Sequence, residues 1–383
     1  MQPFDFHLKT RVVFGNGSLD RLGELAAELG ARRALVVSDP GIVAAGHVAR
    51  GIESLAAAKI EVQLFDAARE NPTTDDVDAG MVVANEFQPD LLIGLGGGSS
   101  LDCAKGINFI YSCGGTMHAY HGVGKATADM LPMIAVPTTA GTGSEMQSFA
   151  LISDAVTHQK MACGDKRASC KIAILDPELT LTQPPMVAAL TGIDAISHAL
   201  ETYVTTRRNP VSMFYSREAW RLLAGNFLRV IESPDNIEAR AAMQLGAAYA
   251  GVAIENSMLG ASHALANPLT AEFGIAHGQA VGLMLPHVVR FNGVQCEQAY
   301  RELLTSSEDV GVTPPASAGA EGISDFVTRS LIAADLQTKL SELGVDPARL
   351  PELAEQAAAQ WTATFNPRQV DSHSLLKIYQ SAF

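Results

Sequence analysis

The chain has 383 residues, 47% of them apolar and only 18% charged, and its 27 basic against 41 acidic side chains leave a formal charge of −14. That length accommodates two or three domains at roughly 150 residues each, and so apolar a composition excludes extensive disorder. The negative field argues against nucleic acid or an anionic membrane surface as a partner. No apolar run approaches the ~18 residues of a spanning helix and the start lacks the apolar stretch of a secretory signal, so a cytoplasmic protein is expected. Cys103, Cys113, Cys163, Cys170 and Cys296 are odd in number, scattered and never in CxxC spacing, which fits neither a disulfide framework nor a zinc ribbon.

TRVVFGNGSLDRL (10–22) reads as an edge strand, a glycine turn and a helix capped by Ser18. Short β-branched runs then alternate with amphipathic stretches at the ~30-residue interval of a βαβ unit: ALVVSD (34–39), IEVQLFD (60–66), DLLIGLGGGSS (90–100), MIAVPTTAGTGSE (133–145) and KIAILDP (171–177). Their continuous apolar character predicts parallel strands covered on both faces. The expected fold is an α/β, Rossmann-like domain with a parallel sheet over residues 1–181, followed by an all-α domain over 182–383, with the active site in the cleft between them. Thr182 is read as the cap of the first helix of the second domain, with Pro184 and Pro185 in its first turn. PPASAGAEG (314–322) is read as a surface loop.

Two polar loops follow predicted strands. Gly96, Gly97 and Gly98 with Ser99 and Ser100 stand between a buried-looking strand and a helix, where backbone N–H groups and the helix dipole favour a pyrophosphate. The run is not a regular GxGxxG fingerprint, since Ser99 occupies the last glycine position. The second loop, PTTAGTGSE (137–145), offers the hydroxyls of Thr138, Thr139, Thr142 and Ser144. Asp39 ends ALVVSD, a position from which a carboxylate can bind ribose hydroxyls and disfavour a 2′-phosphate, hence NAD over NADP; it also suits an ordinary turn before Pro40.

In the helical half, TGIDAISHALETYV places Asp194 and His198 one turn apart on one helix face, as two ligands of one ion would be; the same Thr191-x-x-Asp194 also matches a helix-capping pattern. SHALANPLTAEFGIAHG adds His263 and His277 in an apolar setting, and an unsatisfied buried imidazole nitrogen costs about 1–3 kcal/mol. One Asp and three His make a sulfur-free set suited to Fe(II) or Zn(II). The remaining histidines are read otherwise: His118 and His121 in a solvated loop, His7, His47, His158 and His373 at the surface, and His287 packed against helices.

With these residues in order along nearly the whole chain, GGGSSLDCAKG (96–106), PTTAGTGSE, DAISH (194–198) and SHALANPL…AHG (262–278), the sequence resembles the iron-containing (group III) alcohol dehydrogenases. The resemblance implies an NAD-binding α/β domain, a helical domain, and Fe(II) or Zn(II) held by Asp194, His198, His263 and His277. It implies hydride transfer between a small alcohol or aldehyde and nicotinamide, and a homodimer or larger homo-oligomer. Asp39, Asn71, Lys160 and the two polar loops would then contact the cofactor. Asn267 stands where many members carry a non-ligand histidine often invoked as a proton carrier, so the resemblance supplies no general base. Related polyol dehydrogenases and dehydroquinate synthase-like lyases are the enzymatic alternative, and a nucleotide-binding sensor with core histidines is the non-enzymatic one.

Overall fold

The computed structural model describes residues 3–157, 159–310 and 319–383. Its contacts divide the chain into two compact units. One comprises His7–Thr139 and Gly143–Gln183, and the other comprises Pro184–Phe383 with Ala140–Thr142 and a short piece ending at Phe6.

The first unit carries β1 (Arg11–Phe14), β2 (Arg33–Val37), β3 (Glu61–Phe65), β4 (Leu91–Gly96), β5 (Gly122–Val123), β6 (Met133–Pro137), β7 (Phe149–Ser153), β8 (Lys160–Gly164) and β9 (Ile172–Leu175). Its helices are α1 (Leu22–Glu28), α2 (Pro40–Ala44), α3 (His47–Ala57), α4 (Thr74–Phe87), α5 (Gly98–Cys113) and α6 (Met117–Tyr120). Six strands pair in parallel in the order β1-β9-β6-β4-β2-β3, as the alternating runs predict. Side chains alternate across this sheet with period two. Val36, Ile93 and Ile134 join Leu22 and Leu55 in one core, while Leu35, Leu92 and Ala135 join Val77 and Ile107 in another. Chain direction across the sheet reverses between β2 and β4, and such a switch point opens a crevice at the strands' carboxyl ends.

Several local expectations need correction. Ser18 does not cap a helix: Gly17 precedes a short 3₁₀ turn, and the Ser18 hydroxyl donates to the Leu175 carbonyl. The sequence rhythm also missed a small sheet, β5-β8-β7, in which β7 and β8 form an antiparallel hairpin. Its turn is closed by Asp154, whose carboxylate accepts from the N–H groups of Val156 and Thr157. His118 lies in α6 and is paired with Asp154. His47 is buried rather than at the surface, at the start of α3, with Nε2 bonded to the Thr182 hydroxyl at 2.7 Å. His7 and His373 are exposed; His158 lies outside the described residues.

The second unit consists of α7 (Pro185–Val204), α8 (Pro210–Glu232), α9 (Ile237–Ser257), α10 (Ala261–Phe273), α11 (His277–Ser306), α12 (Ala320–Ala333), α13 (Leu350–Ala358) and α14 (Ser372–Ser381). α7 opens with Pro185, where a missing N–H costs nothing; Thr182 does not cap it, being committed to His47 and the Leu179 carbonyl. Thr191 and Asp194 therefore sit inside α7, which removes the capping reading of Asp194. α12 begins at Ala320, so the last residues of PPASAGAEG are helical rather than loop, and 314–318 lie outside the described residues. Trp220, Phe227 and Tyr300 anchor one core among α7, α8, α9, α11 and α12, and Leu265, Met284 and Tyr379 anchor a second among α10, α11, α13 and α14. Among the described residues no helix is long and apolar enough to cross a membrane.

Candidate metal centre and nucleotide loops

Asp194 and His198 project from the same face of α7, His263 from the first turn of α10, and His277 is the first residue of α11. The last placement depends on Gly278: a Cβ there would lie 2.1 Å from the Leu190 carbonyl, so only glycine lets the start of α11 approach α7 this closely. Asp194, His263 and His277 each present a ligand atom within 4.8 Å of the other two, and His198, the fourth predicted ligand, lies against Asp194 and His263. Asp194 Oδ1 lies 3.4 Å from His198 Nε2, 3.5 Å from His263 Nε2 and 4.0 Å from His277 Nε2, and the Nε2 atoms of His198 and His263 are 3.1 Å apart.

These spacings fit a transition ion. Four donors at ~2.1 Å from a tetrahedral centre lie ~3.4 Å from one another. Among the described residues Asp194 Oδ1 is buried with no hydrogen-bond donor, a state that costs on the order of 1–3 kcal/mol unless a cation or proton compensates it. Asp194, His198 and His263 are nearly enclosed, with side-chain exposures of 8%, 6% and 6%, whereas His277 is 26% exposed, so access to the cluster is from the His277 side.

The electrostatics agree. Burial alone pushes the Asp194 carboxyl up, but His198 and the other two imidazoles beside it pull it well below the usual carboxylate range. Burial pushes His198 down despite Asp194. Burial opposes a charged His263 too, yet Glu201 and Asp194 together raise it to about 9. Glu201 stands outside the motifs legible in the sequence, although Asp194, His198 and Glu201 at i, i+4 and i+7 share one helix face. Its carboxylate accepts from His263 Nδ1 at 2.6 Å and from the Ser262 N–H at 2.6 Å. Asn267 is partly buried and donates to Gln360 at 3.0 Å.

In the sheet unit, the glycine loop leaves β4 and enters α5. The first N–H groups of a helix have no internal acceptor, and in α5 these belong to Gly98, Ser99 and Ser100, with Gly97 at the cap position and no side chain closing it. Gly96 is tightly placed, since a Cβ there would fall 2.5 Å from Ser100 Oγ. Asp39, at the end of β2, lies across the sheet's switch point from this loop: Oδ2 accepts from the Ser100 hydroxyl at 3.0 Å, while Oδ1 caps α2 through the Gly41 and Ile42 N–H groups. Asn71, with a left-handed backbone (φ 52°), donates its N–H to Ser99 Oγ at 3.2 Å, and Lys160 reaches Asn71 Oδ1 at 3.5 Å. These residues from separate segments therefore gather at one loop.

The second loop divides by role. Thr138 donates its N–H to the Gly96 carbonyl, and its buried hydroxyl has no hydrogen-bond partner among the described residues; Thr139 lies beside Gly97. Thr142 groups with the helical unit. Ser144 is buried, its hydroxyl donating to Asp102 Oδ1 at 2.6 Å and accepting from Lys105 at 2.8 Å. Lys105 itself is buried on α5 and donates to the carbonyls of Ser144, Gln147 and Phe149 at 2.6, 2.9 and 2.9 Å, so the loop is held from behind by an ammonium group. Next to it, burial lifts the Glu145 carboxyl to about 7. The visible signal for Lys105 was one lysine inside the apolar run LDCAKGINFI.

Comparison with known proteins places the chain. Residues 9–177 match the family model described as iron-containing alcohol dehydrogenase, and residues 188–383 match the one described as Fe-containing alcohol dehydrogenase family, C-terminal. The 1,3-propanediol dehydrogenase of Klebsiella pneumoniae is 32% identical over 383 residues, spanning 99% of each chain. A crystal structure of 1,3-propanediol oxidoreductase superposes with a TM-score of 0.95 at 31% identity over all of both chains. Sulfoacetaldehyde reductase from Bifidobacterium kashiwanohense in complex with NAD+ superposes with a TM-score of 0.89 at 25% identity, covering 100% of this chain and 99% of that one.

Proposed function

From a chain that belongs to the iron-containing alcohol dehydrogenase family, and is thus an oxidoreductase acting on CH–OH groups, we propose an enzyme that transfers hydride between a small alcohol and NAD at a divalent ion held by Asp194, His198, His263 and His277. The observation that carries the reading is the Asp194 carboxylate oxygen, buried without a hydrogen bond and facing three imidazole nitrogens. Fe(II) is the ion the family description favours, and Zn(II) suits the same N3O set. A divalent ion there supplies Lewis acidity, which lowers the pKa of a hydroxyl it binds.

The chain's own residues do the rest. Asp194 would give the ion one negative charge and the three imidazoles would bind it as neutral donors, so the directly bound groups alone would leave it a net positive charge. The N–H groups of Gly98, Ser99 and Ser100 and the positive end of α5 would hold the pyrophosphate of NAD, with Gly96 and Gly97 allowing close approach. Thr138 and Thr139 line the cofactor beside Gly97, Lys160 and Asn71 meet its phosphates, and Asp39 excludes a 2′-phosphate by charge. Thr142 and Ser144 set the course of the loop. We assign the sheet unit, residues 1–181, to the nucleotide and the helical unit, 182–383, to the ion. Homo-oligomerisation and a cytoplasmic location complete the proposal.

The test uses the purified protein. Elemental analysis is expected to find about one iron or zinc per chain, and NADH absorbance is expected to rise with short alcohols and diols, at least tenfold faster with NAD than with NADP. Chelation should abolish turnover and Fe(II) or Zn(II) should restore it. Full turnover after complete removal of metal would overturn the reading.

A further inference from the structure

Two carboxylates, Asp194 and Glu201, are buried at the metal centre, and among the described residues neither has an ammonium or guanidinium partner; their ionic neighbours are the cluster's imidazoles. Glu201 reaches the start of α10. There it performs two tasks at once. Oε1 accepts the Ser262 N–H, one of the unpaired donors in the first turn of α10, and Oε2 accepts Nδ1 of the next residue, His263. Gly260 makes room for this, since a Cβ there would lie 3.1 Å from Oε1.

The bond to Nδ1 fixes the imidazole. With its proton on Nδ1, the neutral ring presents a lone pair at Nε2, the nitrogen that faces Asp194 and His198. The same carboxylate balances charge: a divalent cation with Asp194 and Glu201 sums to zero beside three largely buried side chains, Asp194, His198 and His263, whereas Asp194 alone leaves a net positive charge. Resting on the function proposed above, we propose that Glu201 is a positioning residue that orients His263, fixes its tautomer and neutralises the centre for a divalent ion. Its contribution goes to metal affinity before it goes to turnover.

The experiment titrates full-length, metal-stripped protein with Zn(II) and with Co(II), whose visible bands report its ligand geometry. Glu201→Gln keeps the size of the side chain and removes the charge. It is expected to weaken Zn(II) binding by about 10- to 100-fold, the range for losing the carboxylate behind a ligating histidine, and to alter the Co(II) bands. Glu201→Asp keeps the charge and shortens the reach, and is expected to recover part of that affinity. Zn(II) affinity of Glu201→Gln within threefold of the parent, with unchanged Co(II) bands, overturns the inference. If Glu201→Gln does not accumulate in folded form, Glu201→Asp decides alone: a loss beyond threefold supports the inference and parent-like affinity overturns it. Failure of the parent protein to bind one equivalent of Zn(II) or Co(II) overturns the metal-centre reading itself, which separates the two failures.

Discussion

The helical unit and the sheet unit solve opposite electrostatic problems with opposite materials. Around Asp194 the helices gather titratable side chains, two buried carboxylates and three imidazoles, the set we propose for a cation. Around Gly96, where we propose the cofactor's phosphates, the sheet presents backbone N–H groups and small hydroxyls, and its buried ammonium, Lys105, is turned to loop carbonyls. In a chain of charge −14 this division is economical. Carboxylates suit a cation site in an acidic protein, and a helix terminus binds phosphate without a basic patch that neighbouring acids would neutralise. The difference teaches where each site is fragile: the first in its side chains, the second in its backbone and in whatever holds the loops still.

Replacement of a single ligand should hit hardest and on one side only. His198→Ala is expected to leave under about a tenth of an equivalent of metal per chain and to slow turnover by about a thousandfold or more, because Lewis acidity worth several kcal/mol is lost. Calorimetry should find NAD affinity within about threefold of the parent; a comparable collapse of NAD binding would break the separation of the two sites.

The next largest effect concerns the sheet unit's own buried charge. Glu145, enclosed near Lys105, Asp102 and Cys170, has its carboxyl lifted by burial from 4.5 to about 7. A carboxyl raised on folding binds its proton more tightly in the folded state. Its neutral form is stable below about pH 4.5, and stability is lost as the pH climbs through 7, by about 3 kcal/mol in all. Glu145→Gln, a permanently neutral mimic, should match the parent in urea denaturation near pH 5 and exceed it by roughly 2–3 kcal/mol at pH 8. Parallel stability curves for the two proteins would remove this account of Glu145.

The smallest effect is the backbone counterpart of the ligand deletion. Gly96→Ala adds one methyl group that collides with Ser100. It is expected to raise the KM for NAD by about tenfold, roughly 1.4 kcal/mol, while metal content stays at one equivalent. Equal loss of both would mean that the alanine damages the fold rather than the loop.

Much of this was legible before folding. The βαβ rhythm gave the parallel strands because strands covered on both faces must be continuously apolar, and LLIGLG, buried throughout, is the clearest instance. Asp194 and His198 were readable as a pair because four residues make about one helical turn. Other features were hidden because they depend on partners distant in sequence. Ser18 and Thr182 look like caps, yet their hydroxyls serve Leu175 and His47. The β7–β8 hairpin was obscured by the parallel pattern around it, and a lysine in an apolar run gives no hint of which carbonyls will receive it.

The sequence alone determined the class of elements, the two polar loops and the four candidate ligands, since each rests on local periodicity, turn chemistry or residue type. Tertiary structure decided how those pieces meet. It set the strand order that brings Asp39 to Ser100, and the close approach of α11 to α7 at Gly278 that brings His277 to Asp194. It also seated Glu201 on both the backbone and the imidazole of α10. Distances between residues 60 or more positions apart are fixed by packing of whole helices and strands, and no local pattern encodes them.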